Sequence, residues 1–351
     1  MSDRVHVVMP AGVRDPARPS GGNVYDLRVC AGLAAREWSV REYEVVGAWP
    51  HPDDAALSAL GDLLESVPNG DTVLVDGLVG SAAPEALAAH TDRLRIVLLM
   101  HMPLDHEREE QALAAVDVAI ATSSWTKGWL LDAYRLDPAR VRVAVPGTDP
   151  AALAQASEDG RRLLVVGPVS VGKGHDTLLA ALERLVDLDW QLDCVGSLDV
   201  DPATAEQIVE WASRSGGRVR VHGPMVGPRL DAAYASADLV VHPSRAETYG
   251  MVLSEALARG IPVVASDVGG TSEALGMAER VRGAEAPGLL VAPGDVDALA
   301  AALRLWLSDA DARRRLRAAA RERRGDLPSW DATVVAVHDA LCSTALVGAQ
   351  R

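Results

Sequence analysis

Short apolar runs of three to six residues recur along the chain, each followed by a segment with helical periodicity. In the first half the runs are Val5–Met9, Tyr43–Val46, Thr72–Val75, Arg95–Met100, Val116–Ala121 and Val141–Val145. In the second they are Leu163–Val166, Gln191–Val195, Arg218–His222, Leu239–His242, Pro262–Ala265 and Leu289–Val291. Apolar positions at helical spacing fall between them, for example over Val24–Arg36, Asp54–Ser66 and Trp125–Tyr134. Strands alternating with helices predict parallel, doubly wound α/β sheets. A dozen strands exceed one ordinary sheet, so the pattern predicts two Rossmann-like domains.

The break falls in "VPGTDPAALAQASEDGRR" (145–162), which carries Pro146-Gly147 and Pro150 before a polar stretch. Expected domains are therefore 1–148 and 149–329. A helical tail from about 330 to 351 follows "GDLPSW" and is expected to return to the first domain. Both halves open alike, on an apolar strand, a glycine-rich turn and a helix.

Composition narrows the functional classes. The chain has 351 residues, 48% hydrophobic and 24% charged, in the range of globular proteins. No apolar run approaches the roughly 18 residues of a membrane helix. The N-terminus lacks a signal-peptide layout, and the expectation is a cytoplasmic protein without integral membrane association. Formal charge is −15; residues 1–150 hold 22 Asp/Glu against 13 Lys/Arg, a net −9, which leaves −6 for the remainder. No stretch supplies the basic excess that a nucleic-acid or anionic-membrane surface needs. Cys30, Cys194 and Cys342 are too scattered for a disulfide framework or a zinc cluster and read as buried thiols. The lysines are Lys127 and Lys173 alone.

Lys173 lies in "VVGPVSVGKGHD" (165–176), where Gly167, Gly172 and Lys173 reproduce most of a P-loop. Gly174 stands where that motif needs Ser or Thr for Mg²⁺. A strand, a glycine turn and a helix nevertheless aim backbone N–H groups at one point, an arrangement suited to an anion. A simple tight turn explains the same glycines equally well.

The segment "ADLVVHPSRAETYGMVLSEALARGIPVVASDVGG" (237–270) is more specific. Gly250 lets the chain turn into a helix near Met251. Glu255 then lies about one turn down the helix, while Glu247 falls in the loop before it. The two carboxylates flank a helix N-terminus, an arrangement that suits an anionic diphosphate between two polyols. In isolation, ordinary acidic residues on a solvated face remain the alternative.

This segment resembles the donor motif of family 4 glycosyltransferases, retaining enzymes with the GT-B fold, and matches its E-x7-E spacing at Glu247 and Glu255. "SGGNVYD" (20–26), "VPGTD" (145–149), "KGHDTLLAAL" (173–182) and "GLLVAPGDVDALAAAL" (288–303) resemble further family segments, in the family's order. The resemblance implies two Rossmann-like domains facing a central cleft, the second binding a nucleotide-diphosphate sugar. It implies that Lys173, with Gly172 in its turn, contacts the diphosphate, Glu247 the transferred sugar and Glu255 the ribose. Backbone groups of Tyr249, Gly250, Met251 and Val252 would meet phosphates or sugar, and those near Met225 the base. Gly21 and Gly22 would allow the N-terminal loop to approach the donor closely, and His101 would reach the sugar near the reacting centre. Where the family commonly has Arg, five residues before its lysine, this chain has Pro168.

The implied reaction is retaining transfer by front-face attack, with no obligatory metal or cofactor, and the acidic N-terminal half favours a small soluble acceptor. A UDP-sugar donor is favoured over a GDP-sugar. Two D-x-D triplets, Asp199–Asp201 and Asp295–Asp297, arise easily in so acidic a chain, and Asp295 reads as a helix N-cap. A P-loop NTPase would need a Walker-B strand, for which "TVLVDG" (72–77) is far away. An epimerase or hydrolase of the same fold, or a non-catalytic sugar-nucleotide binder, stays open.

Overall fold

The computed structural model describes residues 4–277 and 285–347, the side chains of 344–347 excepted. The chain divides into two compact units. Unit 1 draws on Met1–Arg14, Gly21–Gly147 and Pro328–Arg351, and unit 2 on Asp15–Ser20 and Thr148–Leu327.

Unit 1 holds six strands: β1 (Arg4–Pro10), β2 (Ser39–Val45), β3 (Thr72–Asp76), β4 (Arg95–Met100), β5 (Val118–Ala121) and β6 (Val141–Val143). All pair parallel, in the order β2-β1-β3-β4-β5-β6. β3 and β4 are almost wholly buried, as unbroken apolar strands covered on both faces should be. Alternate residues supply two cores. Val73, Val75, Ile96 and Leu98 join one; Leu74, Val97 and Leu99 join the other. A fully buried leucine such as Leu60 or Leu98 contributes roughly 1.5–3 kcal/mol.

Unit 2 repeats the plan with β7 (Arg162–Val166), β8 (Gln191–Val195), β9 (Val219–Val221), β10 (Leu239–His242), β11 (Val263–Ser266) and β12 (Gly288–Val291). Their order is β12-β11-β10-β7-β8-β9, again all parallel. Beneath the sheet, fully buried Trp306 donates its indole N–H to Gly160 O at 2.7 Å.

The twelve expected strands all appear, and β4, β8 and β10 keep their expected limits. β2 starts four residues early, because this edge strand is mostly exposed and its first half carries little apolar signal. Val116 instead caps the helix Glu107–Ala115, so β5 starts at Val118. The tail forms the helix Trp330–Val347, in unit 1. Val334, Val337 and Leu341 pack there with Val29 and Leu33 of the helix Gly21–Ala35. A Cβ on Gly32 would stand 2.2 Å from Val334 Cγ2, so glycine permits that close approach.

Each strand order reverses once, between β1 and β3 and between β7 and β10. In open parallel sheets the crevice at such a reversal, beyond the strand C-termini, is where ligands bind. The residues following those strands therefore define one candidate region per unit.

Candidate functional site

In unit 2 the two chain segments at the reversal are Gly167–His175, after β7, and Pro243–Met251, after β10. The Ser170 hydroxyl accepts from the Lys173 N–H at 3.3 Å and caps a single 3-10 turn, Val171–Lys173. Gly174 follows with φ +70°, and a Cβ there would lie 1.9 Å from Pro243 O. Both backbone angle and space thus demand glycine, so Gly174 is no Ser/Thr position. Gly172 meets only ordinary contact, with Ser170 Oγ at 3.8 Å from a built Cβ.

The turn delivers Lys173 Nζ to Glu247 Oε2 at 2.8 Å. The same oxygen lies 2.9 Å from His242 Nε2 at the end of β10, with Ser244 Oγ 3.2 Å from that nitrogen. Burial alone would raise the Glu247 carboxyl. The His242 hydrogen bond and the Lys173 charge outweigh it and hold the group well below the usual carboxylate range. His175, buried at the head of the next helix, is pushed down to about 4, chiefly by burial, and adds no charge at neutral pH.

Glu247 is held from behind by the glycine pair of "DVGG". A Cβ on Gly269, itself at φ +58°, would fall 1.6 Å from Glu247 O, and one on Gly270 2.2 Å from Thr248 O. Gly250, at φ +95°, starts the helix Met251–Ala258 without a side-chain cap. Its first-turn N–H groups, at Met251 and Val252, face the helix's positive end. Tyr249 is buried. Glu255 has a separate setting: Tyr234 donates to its Oε2 at 2.7 Å, Arg259 stacks over the Tyr234 ring at 4.6 Å, and burial raises its pKa. Glu247 and Glu255 are thus not a carboxylate pair. Met225 is half-buried in the segment between Gly223 and Gly227, both at positive φ.

Arg245, which sequence reading missed, meets the Lys173 turn. Its N–H donates to Gly172 O at 2.9 Å. Its guanidinium donates to Val171 O, to both Asp176 oxygens at 2.8 and 2.6 Å, and to Thr177 Oγ1 at 3.1 Å. Arg245 thereby straps the Glu247 segment to the Lys173 turn, with its charge already matched by Asp176.

In unit 1, Gly21 and Gly22 form the first turn of the helix Gly21–Ala35 rather than a loop. A Cβ on Gly22 would touch the His101 ring at 3.4 Å. His101, just past β4, places Nε2 2.7 Å from Asp26 Oδ1 and 3.5 Å from Asp76 Oδ2. Asp76 ends β3 and caps the next helix at the Leu78 N–H, 2.7 Å away. Asp26 Oδ2 is buried without a hydrogen-bond partner. Ligand atoms of these three residues all lie within 4.8 Å of one another, a metal-like grouping that sequence reading did not foresee. Asp76 belongs to the "TVLVDG" strand considered for a Walker-B role.

The D-x-D triplets serve helices. Asp201 accepts from the Thr204 N–H at 3.1 Å and Asp295 from the Ala298 N–H at 2.9 Å. Cys30 and Cys194 are buried and free, but Cys342 is exposed, against expectation. Among the described residues no helix is long and apolar enough to cross a membrane.

The family model "Glycosyl transferases group 1" matches residues 153–323. The chain is 35% identical over 252 residues to a D-inositol 3-phosphate glycosyltransferase of Salinispora tropica, covering 64% of this chain and 51% of the relative. One from Xylanimonas cellulosilytica is 32% identical over 250 residues, covering 66% and 58%. The matched part spans little more than half the length of these curated relatives. Among solved structures, sucrose-phosphate synthase from Thermosynechococcus elongatus superposes with TM-score 0.76 at 22% identity, covering 98% of this chain and 99% of that one. Anabaena HepE, solved with UDP and glucose, superposes with TM-score 0.71 at 16% identity, covering 97% and 99%. Two parallel six-stranded sheets and these neighbours agree on the fold: the chain has the GT-B architecture, and its residues 153–323 match the group 1 glycosyltransferase model.

Proposed function

We propose that this protein transfers a sugar from a nucleotide-diphosphate sugar to a hydroxyl of a small soluble acceptor, with retention at the sugar carbon. The observation that carries the reading is the junction of Lys173, Glu247 and the uncapped Met251 helix at the β7/β10 reversal. An anionic diphosphate there gains the lysine charge and the helix N–H groups, while Glu247, kept ionised, accepts from sugar hydroxyls. Glu255 is assigned to the ribose and main-chain groups near Met225 to the base. Uridine is the favoured base, a choice supported by Anabaena HepE, solved with UDP-glucose.

As the glycosidic bond breaks, negative charge builds on the leaving diphosphate. Lys173 and the helix end are fixed in advance to receive it, which is electrostatic preorganisation. Attack on the leaving-group face gives retention, with the departing phosphate taking the acceptor's proton. In this proposal unit 2 serves the donor and unit 1 the acceptor, and His101 contacts a substrate hydroxyl.

The test is a panel of nucleotide sugars given to the purified full chain, with and without polyol acceptors. Acceptor-dependent release of nucleoside diphosphate supports transfer. Isomerised donor, or hydrolysis indifferent to acceptor, replaces it with an epimerase or hydrolase. Saturable donor binding without turnover over the whole panel leaves a binding protein.

A further inference from the structure

The Asp26–His101–Asp76 cluster is absorbed only in part by the proposed reaction. Asp26 is 2% exposed and Asp76 5%, and the His101 side chain is 15% exposed. Both carboxylates address one ring nitrogen, Nε2, at 2.7 and 3.5 Å. Among the described residues, Tyr25 stands edge-on to the ring with centroids 5.2 Å apart and Gly22 lies under it, and neither brings charge. The three polar groups come from three elements, the helix after β1, the end of β3 and the end of β4, so the fold itself assembles them.

Two neighbouring buried carboxylates are costly unless a cation or a proton compensates them. The imidazole is the group in contact with both. We propose that Asp26 and Asp76 are positioning residues that hold His101 as an imidazolium, its Nε2–H turned to the carboxylates and its Nδ1–H left as a fixed donor to substrate. The tautomer question that an ordinary histidine poses then disappears, because both nitrogens carry hydrogen. Electrostatics agree in direction. Burial pulls His101 down, but the charge and hydrogen bond of Asp26, with the charge of Asp76, carry it up to about 9. Burial and the charge of Asp26 push Asp76 up to about 7.

The donor role of Nδ1–H rests on the transferase reading, whereas the protonation state does not, and the experiment separates them. Long-range ¹H–¹⁵N correlation spectra of the full chain are recorded from pH 6 to 10. The His101 signals are assigned by their loss in His101→Gln. Imidazolium shifts on both nitrogens at pH 7.5 are expected in the wild type. In Asp26→Asn the ring should titrate at least one pH unit lower. That variant should also lose at least tenfold in kcat at pH 8, recover partly at pH 6, and change donor KM less than threefold. A neutral His101 at pH 7 in the wild type overturns the proposal, whatever the enzyme's activity. So does an unshifted titration in Asp26→Asn. A stoichiometric change in the His101 signals on adding Zn²⁺ or EDTA makes the cluster a metal centre and overturns it too. If the spectra agree but the kinetics show no pH-dependent loss, the donor role falls.

Discussion

The two units build their reversal points from similar groups in opposite proportion. Unit 2 sets one carboxylate, Glu247, between the Lys173 ammonium and the His242 ring. Unit 1 sets one imidazole, His101, against two carboxylates, Asp26 and Asp76. The first arrangement keeps an acid ionised and ready to accept hydrogen bonds. The second keeps a base protonated and ready to donate them. The contrast also predicts which perturbation each unit resists.

The largest effect falls on unit 2. Glu247→Ala removes the acceptor of a half-buried lysine and the proposed partner of the sugar. Transfer kcat/KM should fall by on the order of 10²–10³, about 3–4 kcal/mol of transition-state binding. Cooperative unfolding should persist. Wild-type kinetics in that variant would end the assignment of unit 2 as the donor side.

Next comes the glycine pair behind each cluster. Gly269→Ala drives a methyl into Glu247 O at 1.6 Å from a residue at φ +58°. It should destabilise unit 2 by about 2–4 kcal/mol and reduce donor use with it. Gly22→Ala places its methyl 3.4 Å from the His101 ring inside a helix. Its cost should stay within about 0.5 kcal/mol, because helix propensity favours alanine. Thermal unfolding of the two variants checks both values. Equal losses would show that the "SGGN" and "DVGG" pairs do the same work.

Much of the fold was legible because buried parallel strands are apolar throughout, as in "RIVLLM" and "LVVH". Where exposure dilutes that signal, as at Ser39–Glu42 of β2, the boundary was lost. The assignment of Lys173 and Glu247, 74 residues apart, to one donor came through resemblance, and their direct contact was not foreseen, because spacing alone does not encode which strands become neighbours. Asp26, Asp76, His242 and Arg245 were also missed. His242 finds Glu247 five residues on in its own segment, whereas Asp26, Asp76 and Arg245 gain partners only where the fold brings separate segments together. Gly174 was recognisable as a departure from a P-loop, but its reason, the Pro243 carbonyl, lies across the sheet.

Opposite proportions imply opposite pH responses. His101 is raised to about 9, so its stabilisation is complete below about pH 6.5 and is lost as pH climbs through 9. Asp76, raised to about 7, acts in the same sense, since the unfolded chain gives up that proton first. Glu247 is depressed, so its contribution is present above the ordinary carboxylate range and lost on acidification below it. Unit 1 should therefore lose on the order of 1–2 kcal/mol between pH 7 and 10, and unit 2 should weaken on the acid side. Hydrogen exchange resolved by unit, corrected for intrinsic rates, measures both limbs. Asp76→Asn should remove the part of the unit 1 pH dependence that lies below pH 7 and, by withdrawing its charge from His101, flatten part of the alkaline limb. Loss of both units on the same side would remove the contrast.

The smallest effect isolates a further asymmetry. Unit 2 surrounds its cluster with a second, neutralised ion pair, Arg245–Asp176, that touches the lysine turn at three residues beyond Asp176. In unit 1 the carboxylate itself does the comparable work, since Asp76 caps the helix that follows it. Arg245→Lys keeps the charge but loses the planar fork, and one ammonium cannot hold Val171 O, both Asp176 oxygens and Thr177 together. The turn should loosen while Lys173 and Glu247 remain. Donor KM should then rise about threefold to tenfold, roughly 1 kcal/mol, with kcat within a factor of two. Asp176→Asn should reproduce that change, and the double variant should add little to either, because both substitutions break one strap. Additive losses would instead mean that Arg245 meets the diphosphate directly, as the second cation that Pro168 does not provide.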